Sequence, residues 1–207
     1  MTKIPSFQEL HSMVAQISGK VAFPDLVEGT TGFKVEKLDP GNNPDDLVLF
    51  NELEKAARNF IRYIDRTRTR YHGERPNDVG KQFEEVFVEE LKKTTLKPTQ
   101  LKKSGYPDMK VVDAFGRVTY LESKVVSKNW DNGLRSFYYS TGTKIDSDAR
   151  HLVIAWDIRE EREKYWKVAG YKLCDLYALS NIKVKLEYNS SNDVLYTEEM
   201  VVSSFNL

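Results

Sequence analysis

Two rhythms of apolar residues run through the chain. From about 44 to 71, Leu47, Leu49, Phe50, Leu53, Ala56, Ala57, Phe60, Ile61 and Ile64 recur at the spacing that lines one side of an α-helix. Tyr71 to Pro76 interrupts the pattern. A second helix then starts near Asn77 or Asp78, both suitable caps, and runs to about Lys93 with Val79, Phe83, Val86, Phe87 and Leu91 on one side. A shorter helix is expected over 5–17, where Pro5 precedes Phe7, Leu10, Met13 and Val14. Residues 20–43 contain several glycines and prolines and read as irregular.

After about residue 105 the rhythm changes to that of strands. Met109, Val111, Val112, Val118, Tyr120, Leu121, Val125 and Val126 flank Gly116, which predicts a hairpin. His151 to Ile158 is a buried strand, Tyr165 to Ala169 another, and Ile182 to Tyr188 a last one, with a short helix over Leu173 to Leu179. The lysine-rich connector 92–105 has room for a short strand. The polar, aromatic segment 127–150 is compatible with a strand at Arg135 to Ser140 and a helical turn at Ser147 to Arg150. Helices followed by a sheet with helical crossovers make an α/β or α+β fold. We expect one domain with a mainly helical part over 1–76, a core over 77–158, and strands with a short helix over 159–207.

Composition narrows this picture only in part. The 207 residues suffice for one substantial core, and 40% hydrophobic with 12% aromatic residues is globular. Lys and Arg total 31, as do Asp and Glu, so net charge indicates no partner. A single Cys174 excludes an internal disulfide and any cysteine-based metal cluster; read in an apolar helical context, it is expected in the core. His11, His72 and His151 lack zinc-ligand spacing, and His151 is read as a packed or hydrogen-bonded residue. There is no Gly-X4-Gly-Lys-Ser/Thr loop, so no nucleotide cofactor is expected. No apolar run approaches a membrane span or a signal core, which leads to the expectation of a soluble protein of a prokaryotic cytoplasm with no membrane partner.

The hairpin carries the chemistry. A three-residue loop Ala114-Phe115-Gly116, with Gly116 left-handed, pairs Asp113 with Arg117 and sets Asp108 opposite Glu122. Lys124, two residues beyond Glu122, then shares its face. A two-residue loop would instead put Asp108 on the other face. Two carboxylates suit a hard ion such as Mg²⁺, which can neutralise a scissile phosphate and acidify a bound water. A lysine beside them can hold the attacking water or stabilise the pentavalent phosphorus. The competing interpretation is a solvated edge strand bearing Glu122 and Lys124, with Asp108 in a turn after Pro107.

Pro107-Asp108 and Glu122-Ser123-Lys124 resemble the motif of the PD-(D/E)XK nuclease superfamily. Gly80-Lys81-Gln82-Phe83-Glu84 resembles the helix that precedes this hairpin in many members. The resemblance covers about 77–158 and implies a restriction-endonuclease-like mixed central β-sheet flanked by helices. It further implies that Asp108 and Glu122 hold the metal, that Lys124 positions or activates the water, and that Glu84 is a further acidic ligand or acceptor. Glu85 is the neighbour with which Glu84 could be confused. Compact size, no fused motor and no separate DNA-binding module point to a type II restriction endonuclease. A symmetric duplex site would favour a homodimer. A repair, recombination or mobile-element nuclease, or a non-catalytic DNA-binding protein, remains an alternative.

Positive charge clusters nearby. Between 55 and 75 seven basic residues face two acidic ones, with Arg58, Arg62 and Arg66 one helical turn apart. The connector adds Lys92, Lys93, Lys97, Lys102 and Lys103. Such surfaces suit a polyphosphate substrate, and equally an ordinary solvated helix face. Candidate DNA contacts are Arg62, Arg66, Arg68, Arg70, Lys103, Ser127, Lys128, Arg135 and Lys144.

Overall fold

The structure is a computed structural model that describes residues 20–101, 105–127 and 144–184, together with Gln8, Trp130, Thr197, Glu199, Met200 and Ser203. In chain order its elements are β1 (Lys20–Val21), α1 (Phe23–Thr31), β2 (Val35–Glu36), α2 (Pro44–Thr67), β3 (Tyr71–His72) and α3 (Pro76–Lys92). There follow β4 (Lys97–Gln100), β5 (Met109–Val112), β6 (Val118–Val126), β7 (Ala149–Arg162), β8 (Tyr165–Asp175), a 3-10 turn (Leu176–Ala178) and β9 (Ile182–Lys183). They divide into two compact units, Met1–Val21 with Asn181–Leu207, and Ala22–Ser180. In the first, β1 pairs antiparallel with β9. The second holds all the other elements.

Its centre is a curled mixed sheet in the order β3-β8-β7-β6-β5-β4, with β2 alongside the start of β7. β6 and β7 run parallel; the other pairs of the main path are antiparallel. This is the mixed α/β sheet flanked by helices expected from the sequence. α2 and α3 pack against each other and onto β8, β4 and β6. Phe60 of α2, Phe87 of α3 and Trp156 of β7 meet with ring centroids 4.5 to 6.1 Å apart, and all three are fully buried. Burying each such side chain contributes roughly 1.5–3 kcal/mol, so this cluster fixes the helices on the sheet.

Several boundaries differ from the sequence reading. The supposedly irregular 20–43 contains α1: Pro24 lies in its first turn beside Asp25, and Gly32 closes it with φ +79°. The proline and glycine there mark the two ends of a helix. α3 begins at Pro76, and Asp78 accepts the Arg75 N–H at 3.0 Å from within the first turn. Leu47, placed in the apolar stripe of α2, is exposed. Ser147 to Arg150 is no helical turn, because Ala149 and Arg150 already pair with β2. Leu173 to Asp175 prolong β8, leaving only Leu176–Ala178 as a 3-10 turn, and Cys174 is exposed rather than in the core. The helix expected over 5–17, the strand at Arg135 to Ser140 and the end of the strand Ile182 to Tyr188 lie outside the described residues, Gln8 excepted. No described helix is long and apolar enough to cross a membrane.

Candidate active site

The hairpin register is the one the three-residue loop requires. Val112 pairs with Val118 and Met109 with Leu121, so the next steps set Asp113 against Arg117 and Asp108 against Glu122. Gly116 turns with φ +79°, and Asp113 donates its N–H to the Arg117 carbonyl at 3.0 Å. The strand alternation then separates functions. Ser123 turns to the helix side, where its Oγ accepts the Trp156 Nε1–H at 3.1 Å, while Glu122 and Lys124 share the other face.

Asp108 is fixed at its base, with one carboxylate oxygen accepting the Ser123 N–H at 2.8 Å. Glu122 is 3% exposed; its Oε1 accepts from the Lys124 ammonium, and its carboxyl also interacts with the Asp108 side chain. Its Oε2 is buried with no donor. Burial, then the Asp108 charge, push the Glu122 carboxyl up to about 7 against the pull of Lys124. Glu84, half-buried on α3, is likewise pushed up to about 7 by burial and by the charges of Asp108 and Glu122. Glu84 therefore shares the field of the two hairpin carboxylates, whereas Glu85 is exposed on a different side of α3, lining a shallow concavity with Val88, Glu89 and Lys92.

A buried carboxylate oxygen without a donor, beside a second carboxylate, fits a hard cation that keeps part of its own water shell. Among the described residues no three acidic, histidine or cysteine side chains are already set at metal-holding geometry. Asp108 and Glu122 oppose each other across the hairpin, and Glu84 on α3 lies within their electrostatic reach.

The predicted DNA contacts scatter. Arg62 and Arg66 line a concavity with Asn59, Tyr63, Glu90 and Lys93. Glu90 lies six residues from Glu84, which turns it about 120° around α3, so those arginines are not gathered with the acids. Arg68 closes α2 in the left-handed conformation, exposed to solvent. Arg70 is engaged in a two-pronged pair with Glu161. Ser127 follows β6 directly and is half-buried. Lys144 points inward, onto the backbone carbonyls of Gly105 and Pro107. Lys103, Lys128 and Arg135 lie outside the described residues.

One support escaped the sequence reading. The hydroxyl of Tyr106, the residue before Pro107, hydrogen-bonds His151 Nδ1 at 2.7 Å, with the Phe23 ring edge-on to both. The only available signal was the position of Tyr106 next to the motif. His151 is packed and hydrogen-bonded as expected, 0% exposed.

The model of the type II restriction enzyme MjaV family matches residues 17–199. The chain belongs to that family. No curated protein and no solved structure matches it. A member of a type II restriction enzyme family is a nuclease that binds double-stranded DNA and cleaves it at specific sites, and Glu84, Asp108, Glu122 and Lys124 all lie within the matched span.

Proposed function

We propose that this member of the MjaV family is a Mg²⁺-dependent endonuclease that hydrolyses phosphodiester bonds of double-stranded DNA at Asp108, Glu122, Lys124 and Glu84. The observation that carries this reading is the donorless Oε2 of buried Glu122, directly across the hairpin from Asp108 and on the face of Lys124. Asp108 and Glu122 would hold the ion, with Glu84 as a third acidic ligand or an acceptor for a metal-bound water. When bound, Mg²⁺ would supply charge neutralisation at the scissile phosphate and a more acidic water. Lys124 sits where its ammonium can hold the attacking water or the developing charge on phosphorus. The Ser123 N–H keeps Asp108 aimed at the cluster, because one of its oxygens is already engaged.

Arg62, Arg66, Arg68 and Ser127 remain candidate backbone contacts, joined by Lys103, Lys128 and Arg135. Arg70 would have to leave Glu161 to join them. A two-fold symmetric recognition site would be served by a homodimer in which each subunit cuts one strand. Family membership favours this reading over a structure-directed repair, recombination or mobile-element nuclease and over a non-catalytic DNA-binding protein. Incubation of phage DNA with the protein, in Mg²⁺ and in chelator, separates the three. Discrete fragments in Mg²⁺ alone are expected. A smear would indicate sequence-independent cutting, and intact DNA with salt-sensitive binding would indicate a binding protein.

A further inference from the structure

Lys144 meets the backbone that leads into the Pro107-Asp108 turn. Its ammonium donates to the Pro107 carbonyl at 2.8 Å and to the Gly105 carbonyl, so it bridges the two carbonyls that bracket Tyr106 and lead into Asp108. Tyr106 itself is 3% exposed and its hydroxyl is tied to His151, which anchors the same turn in the core. The turn is thereby held twice, at its carbonyls by Lys144 and through the Tyr106 side chain. Burial lowers the Lys144 pKa from its ordinary value, against the opposing pull of the Asp108, Glu122 and Glu84 charges. An ammonium has three donors, and two are spent on backbone carbonyls, an arrangement unlike that of a lysine held out for a phosphate.

We propose that Lys144 is a positioning residue of the nuclease site: it clamps the Gly105–Pro107 backbone so that Asp108 meets Glu122, and it does not contact DNA. The inference rests on the reading of that cluster as the metal site. Its consequence is separable from phosphate binding. Loss of the clamp lets the Asp108 turn drift from Glu122 and weakens metal binding, as loss of an outer support commonly does by roughly 10–100-fold. Loss of a phosphate contact would instead lower the salt slope of DNA binding by about one unit.

The test combines calorimetric Mg²⁺ titration with the salt dependence of binding to a duplex oligonucleotide in chelator, for wild type, K144M, K144Q, K144R and D108A. The expected result is Mg²⁺ affinity reduced roughly 10–100-fold in K144M, less reduced in K144Q, largely restored in K144R, with the DNA salt slope unchanged in all three. K144Q retains an amide donor and serves the same comparison if K144M does not fold. Wild-type Mg²⁺ affinity in K144M or K144Q, or a salt slope lower by about one unit, overturns the clamp. If D108A binds Mg²⁺ as well as wild type does, the metal-site reading itself falls; if D108A loses binding and K144Q does not, only the role of Lys144 falls.

Discussion

The β5–β6 hairpin carries a charged cluster at each end, and the two are wired differently. At the turn end Asp113, Asp46 and Glu36 meet Arg117 and Arg150. Asp46 Oδ1 takes Arg117 at 2.9 Å and Arg150 at 2.8 Å, and its Oδ2 accepts the Asp39 N–H. Both Asp113 oxygens are likewise engaged, by the N–H groups of Phe115 and Arg117 and by the Arg117 guanidinium. At the open end Glu84, Asp108 and Glu122 face Lys124 and Lys144, the same formal balance. There a carboxylate oxygen is left without a donor, and two carboxyls are pushed up to about 7. Arginine forks saturate carboxylates in fixed geometry, whereas lysines supply compact point charge. The first cluster pins α2, the hairpin turn and β7 together; the second holds unsatisfied negative charge where a cation can use it.

If that contrast is right, substitutions at the two ends should fail in opposite ways. Glu122→Gln should lower Mg²⁺-dependent cleavage by on the order of a thousandfold, since charge placed for the transition state is worth that much. It should leave the metal-free fold at least as stable in urea, because a buried carboxylate with one donorless oxygen beside the Asp108 charge gives way to a neutral amide. Asp46→Ala should do the reverse: roughly 1.5–3 kcal/mol of stability lost for each charged hydrogen bond removed, as Arg117 keeps only Asp113 and Arg150 only Glu36, with the remaining folded protein still cutting. Equal activity losses with no difference in stability would erase the distinction.

The support under the acidic end gives a smaller, pH-dependent effect. Burial holds the His151 imidazole down at about 4, below its ordinary 6.5. Between those values the unfolded chain binds the proton and the folded one does not, so stability falls as pH drops through this window. The full difference is about 3 kcal/mol. The raised carboxyls of Glu84 and Glu122 act with the opposite sign over an overlapping range, so the measurement is the difference between wild type and His151→Gln in urea melts from pH 7 to 4. A flat difference would show that His151 is not held neutral. Smallest of all, Glu84→Gln should weaken cleavage roughly 10–100-fold while Glu85→Gln leaves it unchanged; the reverse order would place the wrong glutamate at the site.

How much of this the sequence disclosed follows from the range of each interaction. The register was legible because a single glycine, Gly116, sets the loop length, and loop length sets which side chains face each other. Glu84 came from the resemblance of Gly80 to Glu84 to a nuclease helix, which left Glu85 open as its rival. α1 was missed because its proline and glycine punctuate the helix ends, and composition alone made them look like a loop. The inward turn of Lys144 was illegible for another reason. Its carbonyl partners lie 37 and 39 residues away, and no local pattern reports a contact at that separation. The same holds for Asp46, 71 residues from Arg117.

The most direct test of the nuclease centre is cleavage of phage DNA in Mg²⁺ by Asp108→Ala beside wild type at equal folded concentration. Discrete fragments from wild type and intact DNA from the variant are predicted; undiminished cutting by Asp108→Ala would contradict the assignment of the hairpin as the active site.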